Sequence, residues 1–312
     1  MKKQEILIVG SANMDMVVTV NRFPNPGETI LSEKFGMFPG GKGANQAVAC
    51  ARLGSKTHFI GKMGNDFFRD KLIQSMTTNQ VNMEYTLIDE KESTGVALIY
   101  VDADGQNEIV VVSGSNMKIT PDEIESNAGL FKQVNVVLTQ LEIPLESVIS
   151  AAKLTKKNDG DFILNPAPAC EIPDELFTMV DYLTPNESEL ALLSGRPVTD
   201  ISSAIKAAKI ILKQGAKNIV VTLGEKGSLL VNNDRSELFP TDKVEAKDAT
   251  AAGDAFNGAL AFGLSNNLDL DTIIRTANCV ATYSVTKRGA QSSLPSIEDI
   301  EPLIDINLQK EN

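Results

Sequence analysis

The amino-acid sequence predicts an α/β fold: three layers, α/β/α, on a mostly parallel central sheet, with a small antiparallel β lid outside the layers. Short all-apolar runs alternate with stretches of helical spacing along most of the chain, as parallel strands buried on both faces require. Two segments, residues 16–38 and 94–113, break that rhythm with proline, glycine and a turn between β-type runs. The first apolar run ends in Gly10-Ser11, where such sheets carry their functional loops.

In chain order, residues 6–9 are all apolar and read as a buried strand, so Asn13 and Asp15 just beyond it face a ligand crevice. Residues 44–53 have helical spacing with Gly54 as the C-cap, and residues 57–60 form the next strand of a βαβ unit. Further strands are expected at 134–138, 162–164 and 219–223, with helices at 147–156 and 201–213 between them. Residues 96–101 and 108–112 flank Asp102-Ala103-Asp104-Gly105, a hairpin signal. The whole chain, 1–312, reads as a single domain with lid inserts at about 16–38 and 94–113. A β insert beside a crevice can exclude water from a transferring group.

Composition removes several function classes. With 312 residues and 42% hydrophobic content there is ample material for a core, while a formal net charge of -12 repels nucleic-acid phosphates. No nucleic-acid partner is expected. The apolar run after Met1-Lys2-Lys3 is too short for a signal peptide, and no stretch reaches the roughly 18 apolar residues of a membrane span. No membrane partner is expected, and the location is cytoplasmic by default. Cys50, Cys170 and Cys279 lie far apart in no Cys-x-x-Cys pair, which argues for reduced cysteines rather than a disulfide framework or a zinc site. His58 is the single histidine, so neither a Ser-His-Asp hydrolase nor a multi-histidine metal site can readily be assembled.

The chemistry concentrates in glycine-rich loops. Asp248-Ala-Thr250-Ala251-Ala252-Gly253-Asp254 runs into an apolar helix, placing a carboxylate where unpaired amides and the helix dipole favour phosphate oxygens. Asp254 as a plain helix cap is the alternative reading. Gly40-Gly41-Lys42-Gly43-Ala44-Asn45 nearly satisfies a P-loop, but Gly43 stands where that motif needs a hydroxyl for Mg²⁺. Its glycines allow close approach of a polar ligand, and Lys42 and Asn45 supply donors. Thr184-Pro-Asn186-Glu-Ser-Glu189 suits an Asn-capped helix start, or carboxylates that hold the waters of Mg²⁺. Thr222-Leu-Gly224-Glu225-Lys-Gly227 suits a hairpin turn or a nucleotide-facing loop. Composition fixes no role for the loop at 287–293.

In order and spacing, Gly10-Ser-Ala-Asn13-Met-Asp15, Gly41-Lys-Gly-Ala-Asn45-Gln-Ala, Thr184-Pro-Asn-Glu-Ser-Glu189, residues 248–254 and Gly289-Ala-Gln together resemble the ribokinase-like family of ATP-dependent sugar and nucleoside kinases over essentially the whole chain. The resemblance implies the ribokinase-like fold, a β lid that serves as the interface of a homodimer, and phosphorylation of D-ribose at O5 with ATP as co-substrate. It implies that Asp254 is the catalytic base, aided by the backbone of Ala251, Ala252 and Gly253. Asn13, Asp15, Gly41, Lys42, Gly43, Asn45 and Glu142, with Asp254, match sugar-binding positions. Asn186, Thr222, Gly224, Glu225, Gly227, Gly253 and Asn278 match the ATP site, and Glu189 an indirect Mg²⁺ contact. Asp248, Thr250, Ser284, Lys287, Gly289 and Ser293 match a monovalent-cation site for K⁺, built largely from backbone carbonyls. Ala249 and Ala255 depart from the threonines common there. The rivals are a same-fold kinase for 2-deoxyribose, another sugar or a nucleoside, and a binding protein without the chemistry. A dinucleotide-dependent oxidoreductase lacks its G-x-G-x-x-G after the first strand.

Overall fold

The computed structural model describes residues 4–32 and 34–304. The chain begins with β1 (Glu5–Val9), β2 (Asn13–Thr19), β3 (Lys34–Gly40), α1 (Lys42–Arg52) and β4 (Lys56–Ile60). It continues with β5 (Lys62–Gly64), α2 (Phe67–Thr78), β6 (Leu87–Asp89), β7 (Gly95–Val101) and β8 (Asn107–Val112). Next come α3 (Pro121–Glu125), α4 (Ala128–Phe131), β9 (Val136–Thr139), α5 (Leu145–Lys157), β10 (Asp161–Leu164), α6 (Asp174–Phe177) and β11 (Tyr182–Leu183). The last part holds α7 (Glu187–Ser194), α8 (Ile201–Gln214), β12 (Asn218–Thr222), β13 (Ser228–Asn232), β14 (Ser236–Phe239), α9 (Ala252–Ser265), α10 (Leu270–Ser284) and α11 (Ile297–Ile300).

The main sheet has eight strands in the order β14-β13-β12-β11-β10-β9-β1-β4. From β12 to β4 every neighbour runs parallel, and β13 and β14 add an antiparallel edge. The two-residue pleat sorts the core cleanly. Ile6 and Ile8 pack with α1, α9 and α10 on one face, while Leu7 and Val9 pack with α5 and α8 on the other. After β1 the chain goes to β4 on one side and later returns to β9 on the other, so the strand order reverses at β1 and β9. A crevice opens beyond their carboxyl ends for that reason.

The second sheet is the predicted lid, four strands in the order β3-β2-β7-β8. It is antiparallel within β2/β3 and within β7/β8, and parallel across its central β2/β7 pair. Only residues 10–12 separate β1 from β2, so the chain passes straight from the main sheet into the lid. That places Asn13 and Asp15 on a strand rather than on a loop. The helix expected from residue 44 already starts at Lys42, because Gly41 takes a left-handed φ of 88° that ends β3 and turns the chain. Among the described residues, no helix is long and apolar enough to cross a membrane. Cys50, Cys170 and Cys279 are all free thiols.

Candidate active site

Three pieces of backbone close on one another at the strand-order reversal. The Gly41 Cα sits so close to the β1–β2 crossing that a side chain there would meet the Asn13 amide at 2.6 Å, and one on Gly43 would meet the Ser11 amide at 2.6 Å. Glycine is required at both points by contact alone. The Lys42 amide donates to Glu142 Oε2 at 3.2 Å, and the Ser11 hydroxyl donates to the same oxygen. Asn13 Oδ1 accepts from Asn116 Nδ2 at 2.7 Å, which points the Asn13 amide group in a set direction. Gly40 lies against the Asp15 carboxylate.

Helix α9 enters this site by its first turn. Ala251, its N-cap, holds a left-handed φ of 61°, a conformation costing a non-glycine residue roughly 1–2 kcal/mol, and no side chain caps the helix. Asp254 is therefore not the cap. Its carboxylate instead points across to α1, where Oδ2 accepts from Asn45 Nδ2 at 2.9 Å and Oδ1 accepts from Gln46 Nε2 at 2.9 Å. Only 7% of Asp254 is exposed. Burial raises its carboxyl above the usual range, against the opposing pull of the Lys42 ammonium and the two amides. Asp15 is pushed up to about 7 by burial, then by the charges of Glu142 and Asp254. Lys42 is partly buried, which would lower its pKa, yet the charges of Asp254, Glu142 and Glu189 outweigh that and keep its ammonium more tightly protonated than usual. The sequence-predicted polyol set, Asn13, Asp15, Gly41, Lys42, Gly43, Asn45, Glu142 and Asp254, thus comes together around one point.

A cleft of about 620 Å³ lies on the other side of the α9 N-terminus. Asn186, Thr222, Gly224, Glu225, Gly227, Gly253 and Asn278, all expected at a nucleotide, line it. The Thr222–Gly227 segment serves both expected purposes, as the turn between β12 and β13 and as a wall of the cleft. Asn186 caps α7 while the Glu189 carboxylate accepts from the Asn186 amide at 2.8 Å. Burial raises the Glu189 carboxyl, with that hydrogen bond and the Lys42 charge opposing.

Residues 3–297 match the model of the pfkB family carbohydrate kinases. The chain belongs to the pfkB family of carbohydrate kinases. A ribokinase from Haemophilus influenzae is 38% identical to this kinase over 95% of the chain and 97% of the relative. A deoxyribokinase from Salmonella typhi is 37% identical over 97% of the chain and 99% of the relative. Among solved structures, Arabidopsis thaliana ribokinase complexed with ribose and ATP superposes with a TM-score of 0.93 at 32% identity, covering 98% of this kinase and all of that chain. The expected fold and enzyme class hold.

The loops expected at a monovalent cation also meet in this kinase. Asp248 Oδ1 accepts from the Thr250 amide at 2.9 Å and Oδ2 from the Gly289 amide at 2.8 Å. Burial would raise the Asp248 carboxyl, but those hydrogen bonds and nearby Arg288 hold it below its ordinary value. The side chains of Ser284, Lys287 and Ser293 turn elsewhere, to the Ala281 carbonyl, the Tyr283 hydroxyl and the Ala290 carbonyl. No cluster of three His, Cys, Asp or Glu fit to hold a metal occurs among the described residues.

Sequence reasoning missed Ser11, Gln46, Asn116, Gln140 and Asn165, and also the cleft wall at Thr241, Asp242, Lys243, Val244, Ala246 and Phe256. Gln46 adjoins Asn45 within the helix-opening motif and was open to inspection. Ser11 likewise lies inside the Gly10–Asp15 motif, whereas the others carry no local pattern, since strand ends and long-range approach bring them in.

Proposed function

We propose that this kinase transfers the γ-phosphoryl group of ATP to O5 of D-ribose, giving ribose 5-phosphate and ADP. The observation that carries the reading is the Asp254 carboxylate, buried on the first turn of α9 between a polyol-binding set and a nucleotide-sized cleft. Asn13, Asp15, Gly41, Lys42, Gly43, Asn45 and Glu142 orient the sugar, and ATP lies along Asn186, Thr222, Gly224, Glu225, Gly227, Gly253 and Asn278. Asp254 takes the proton from the O5 hydroxyl as that oxygen attacks phosphorus, and its raised pKa brings it nearer the strength a base needs at neutral pH. Charge gathering on the phosphoryl oxygens faces the N–H groups of residues 251–254. Gly253 and Asp254 contribute most, because the Ala252 amide already donates to the Ala249 carbonyl at 3.2 Å. The Lys42 ammonium adds positive charge on the same side.

Mg²⁺ would neutralise phosphate charge when bound, and Glu189, with one oxygen committed to the Asn186 amide, would hold it indirectly. The loops of Asp248, Thr250, Ser284, Lys287, Gly289 and Ser293 would hold K⁺ next to the anion-binding turn, whose shape it would steady. The lid closes over the sugar and pairs with the lid of a second copy. Free thiols at all three cysteines suit a cytoplasmic setting.

The second reading, 2-deoxyribose as substrate, is favoured by the 37% identity to a deoxyribokinase. A single panel separates the two. ADP release is followed with ribose, 2-deoxyribose, fructose, adenosine and pseudouridine, with and without K⁺, for the wild type and Asp254→Asn. Expected is highest kcat/KM with ribose, stimulation by K⁺, and a loss of about a hundred- to ten-thousand-fold in Asp254→Asn. A higher kcat/KM for any other acceptor overturns the substrate assignment, and undiminished turnover in folded Asp254→Asn overturns the mechanism.

A further inference from the structure

Behind Asp254 runs a closed chain of buried amides that binds neither sugar nor nucleotide in the scheme above. Gln46 on α1 is fully buried and directs both hydrogens of its amide nitrogen. One goes to Asp254 Oδ1 at 2.9 Å, the other to Asn165 Oδ1 at 3.1 Å. Its own oxygen accepts from Gln140 Nε2 at 2.5 Å. A carboxylate oxygen only accepts, so the nitrogen side of Gln46 must face Asp254 and the orientation of the amide is forced. From Asn165 the chain returns to α9. Asn165 Nδ2 donates to the Thr184 carbonyl at 3.3 Å, and the Thr184 hydroxyl donates to Asn257 Oδ1 at 2.6 Å. Asn257 Nδ2 then donates to the Gly253 carbonyl at 2.8 Å. Side chains from the ends of β9 and β10 and from α1 and α9 thereby grip both Asp254 and the residue before it.

Core packing alone does not call for this. The neighbours of Gln46 on α1, Ala44, Ala47 and Val48, are apolar and fully buried, and an apolar side chain of similar volume would fill the space without desolvating an amide. We propose that Gln46 is a positioning residue for phosphoryl transfer: braced by Gln140 and Asn165, it locks the Asp254 carboxylate in one rotamer, with the remaining lone pairs turned to the sugar hydroxyl. The inference rests on Asp254 being the base. Gln46 also bears on ionisation. Its hydrogen bond and that of Asn45 favour the charged carboxylate, as does Lys42, against burial and the charge of Glu142; Asp15 faces the same carboxylate and is itself raised by it. Without the Gln46 donor, Asp254 holds its proton to higher pH.

The test compares wild type, Asp254→Asn, Gln46→Met and Gln140→Met in kcat, ribose KM, the pH profile of kcat and thermal unfolding. Gln46→Met is expected to lower kcat about tenfold to a hundredfold, as misplacement of a catalytic group does, with ribose KM little changed. The acid limb of its kcat profile is expected to move to higher pH. Gln140→Met, which removes the hydrogen bond to the Gln46 oxygen without touching Asp254, is expected to move both in the same direction by less, and it carries the test alone if Gln46→Met does not fold. With wild type active and Asp254→Asn inactive, an unmoved acid limb in a folded variant overturns the inference in favour of simple packing and leaves the function standing. Turnover retained in Asp254→Asn overturns both.

Discussion

Asp254 and Asp15 share one crevice, and both must shed a proton to serve. In the proposed mechanism Asp254 loses its proton to act as a base, and Asp15, proposed to bind sugar hydroxyls, serves best as an acceptor, which likewise means ionised. With Asp15 titrating at about 7, its acceptor form is populated above that value and is lost as the pH falls through it. Sugar KM is therefore expected to rise by up to about tenfold between about pH 8 and about pH 6, following the ionised fraction. Asp15→Asn is expected to bind sugar more weakly with no such slope. Initial-rate measurements across that range decide it, and a flat wild-type KM sinks the role given to Asp15. Ala251 adds a different residue-scale lesson. A left-handed alanine at a helix N-cap is locally unfavourable, and it sits where the turn must open its amides toward an anion.

At the scale of the element, two of the three glycines on α9 have opposite reasons for existing. A Cβ on Gly253 meets nothing within 4 Å, so the protein alone has no objection to a side chain there. A Cβ on Gly258 would meet the Ala49 side chain at 2.4 Å and the Cys50 amide at 3.2 Å, because α9 packs tightly on α1. Gly253→Ala is thus expected to keep its unfolding temperature while losing nucleotide affinity and turnover, since only a ligand needs that space. Gly258→Ala is expected to cost about 1–3 kcal/mol of stability through overpacking, with the site chemistry retained in whatever folds. Thermal unfolding paired with nucleotide binding separates the cases, and a destabilised Gly253→Ala would refute the ligand-driven reading of that glycine.

For the whole molecule, the lid poses the open question of what covers it. Strand β8 is an edge strand with Ile109, Val110, Val111 and Val112 exposed in succession, and Phe35, Met37 and Phe38 are exposed on β3. An apolar edge of this kind is a template for pairing with another chain. A second copy is the expected cover, in keeping with the homodimer proposed above. Sedimentation should give a dimer for the wild type and a monomer for Val110→Asp. A monomeric wild type at micromolar concentration removes the proposal. The lid begins only three residues after β1, so Asn13 and Asp15 lie on a strand of the same sheet whose edge is proposed to pair.

The sequence by itself determined the layers, the lid and the loops that bear chemistry, because apolar periodicity, glycine placement and helix-start patterns act over a few neighbouring residues. Residues 6–9, 57–60 and 162–164 became strands for that reason, and Asp254 and the glycine-rich turns were legible in their own motifs. What only the tertiary structure decided is how distant side chains meet. The strand-order reversal brings Gln140 beyond β9, Asn165 beyond β10 and Gln46 on α1 within hydrogen-bond reach of one another or of the α9 turn, and Glu142 beyond β9 within reach of the Lys42 amide. Burial there then sets the proton affinity of Asp15 and Asp254. Desolvation and Coulomb forces depend on distances through space, and no spacing along a chain encodes them directly.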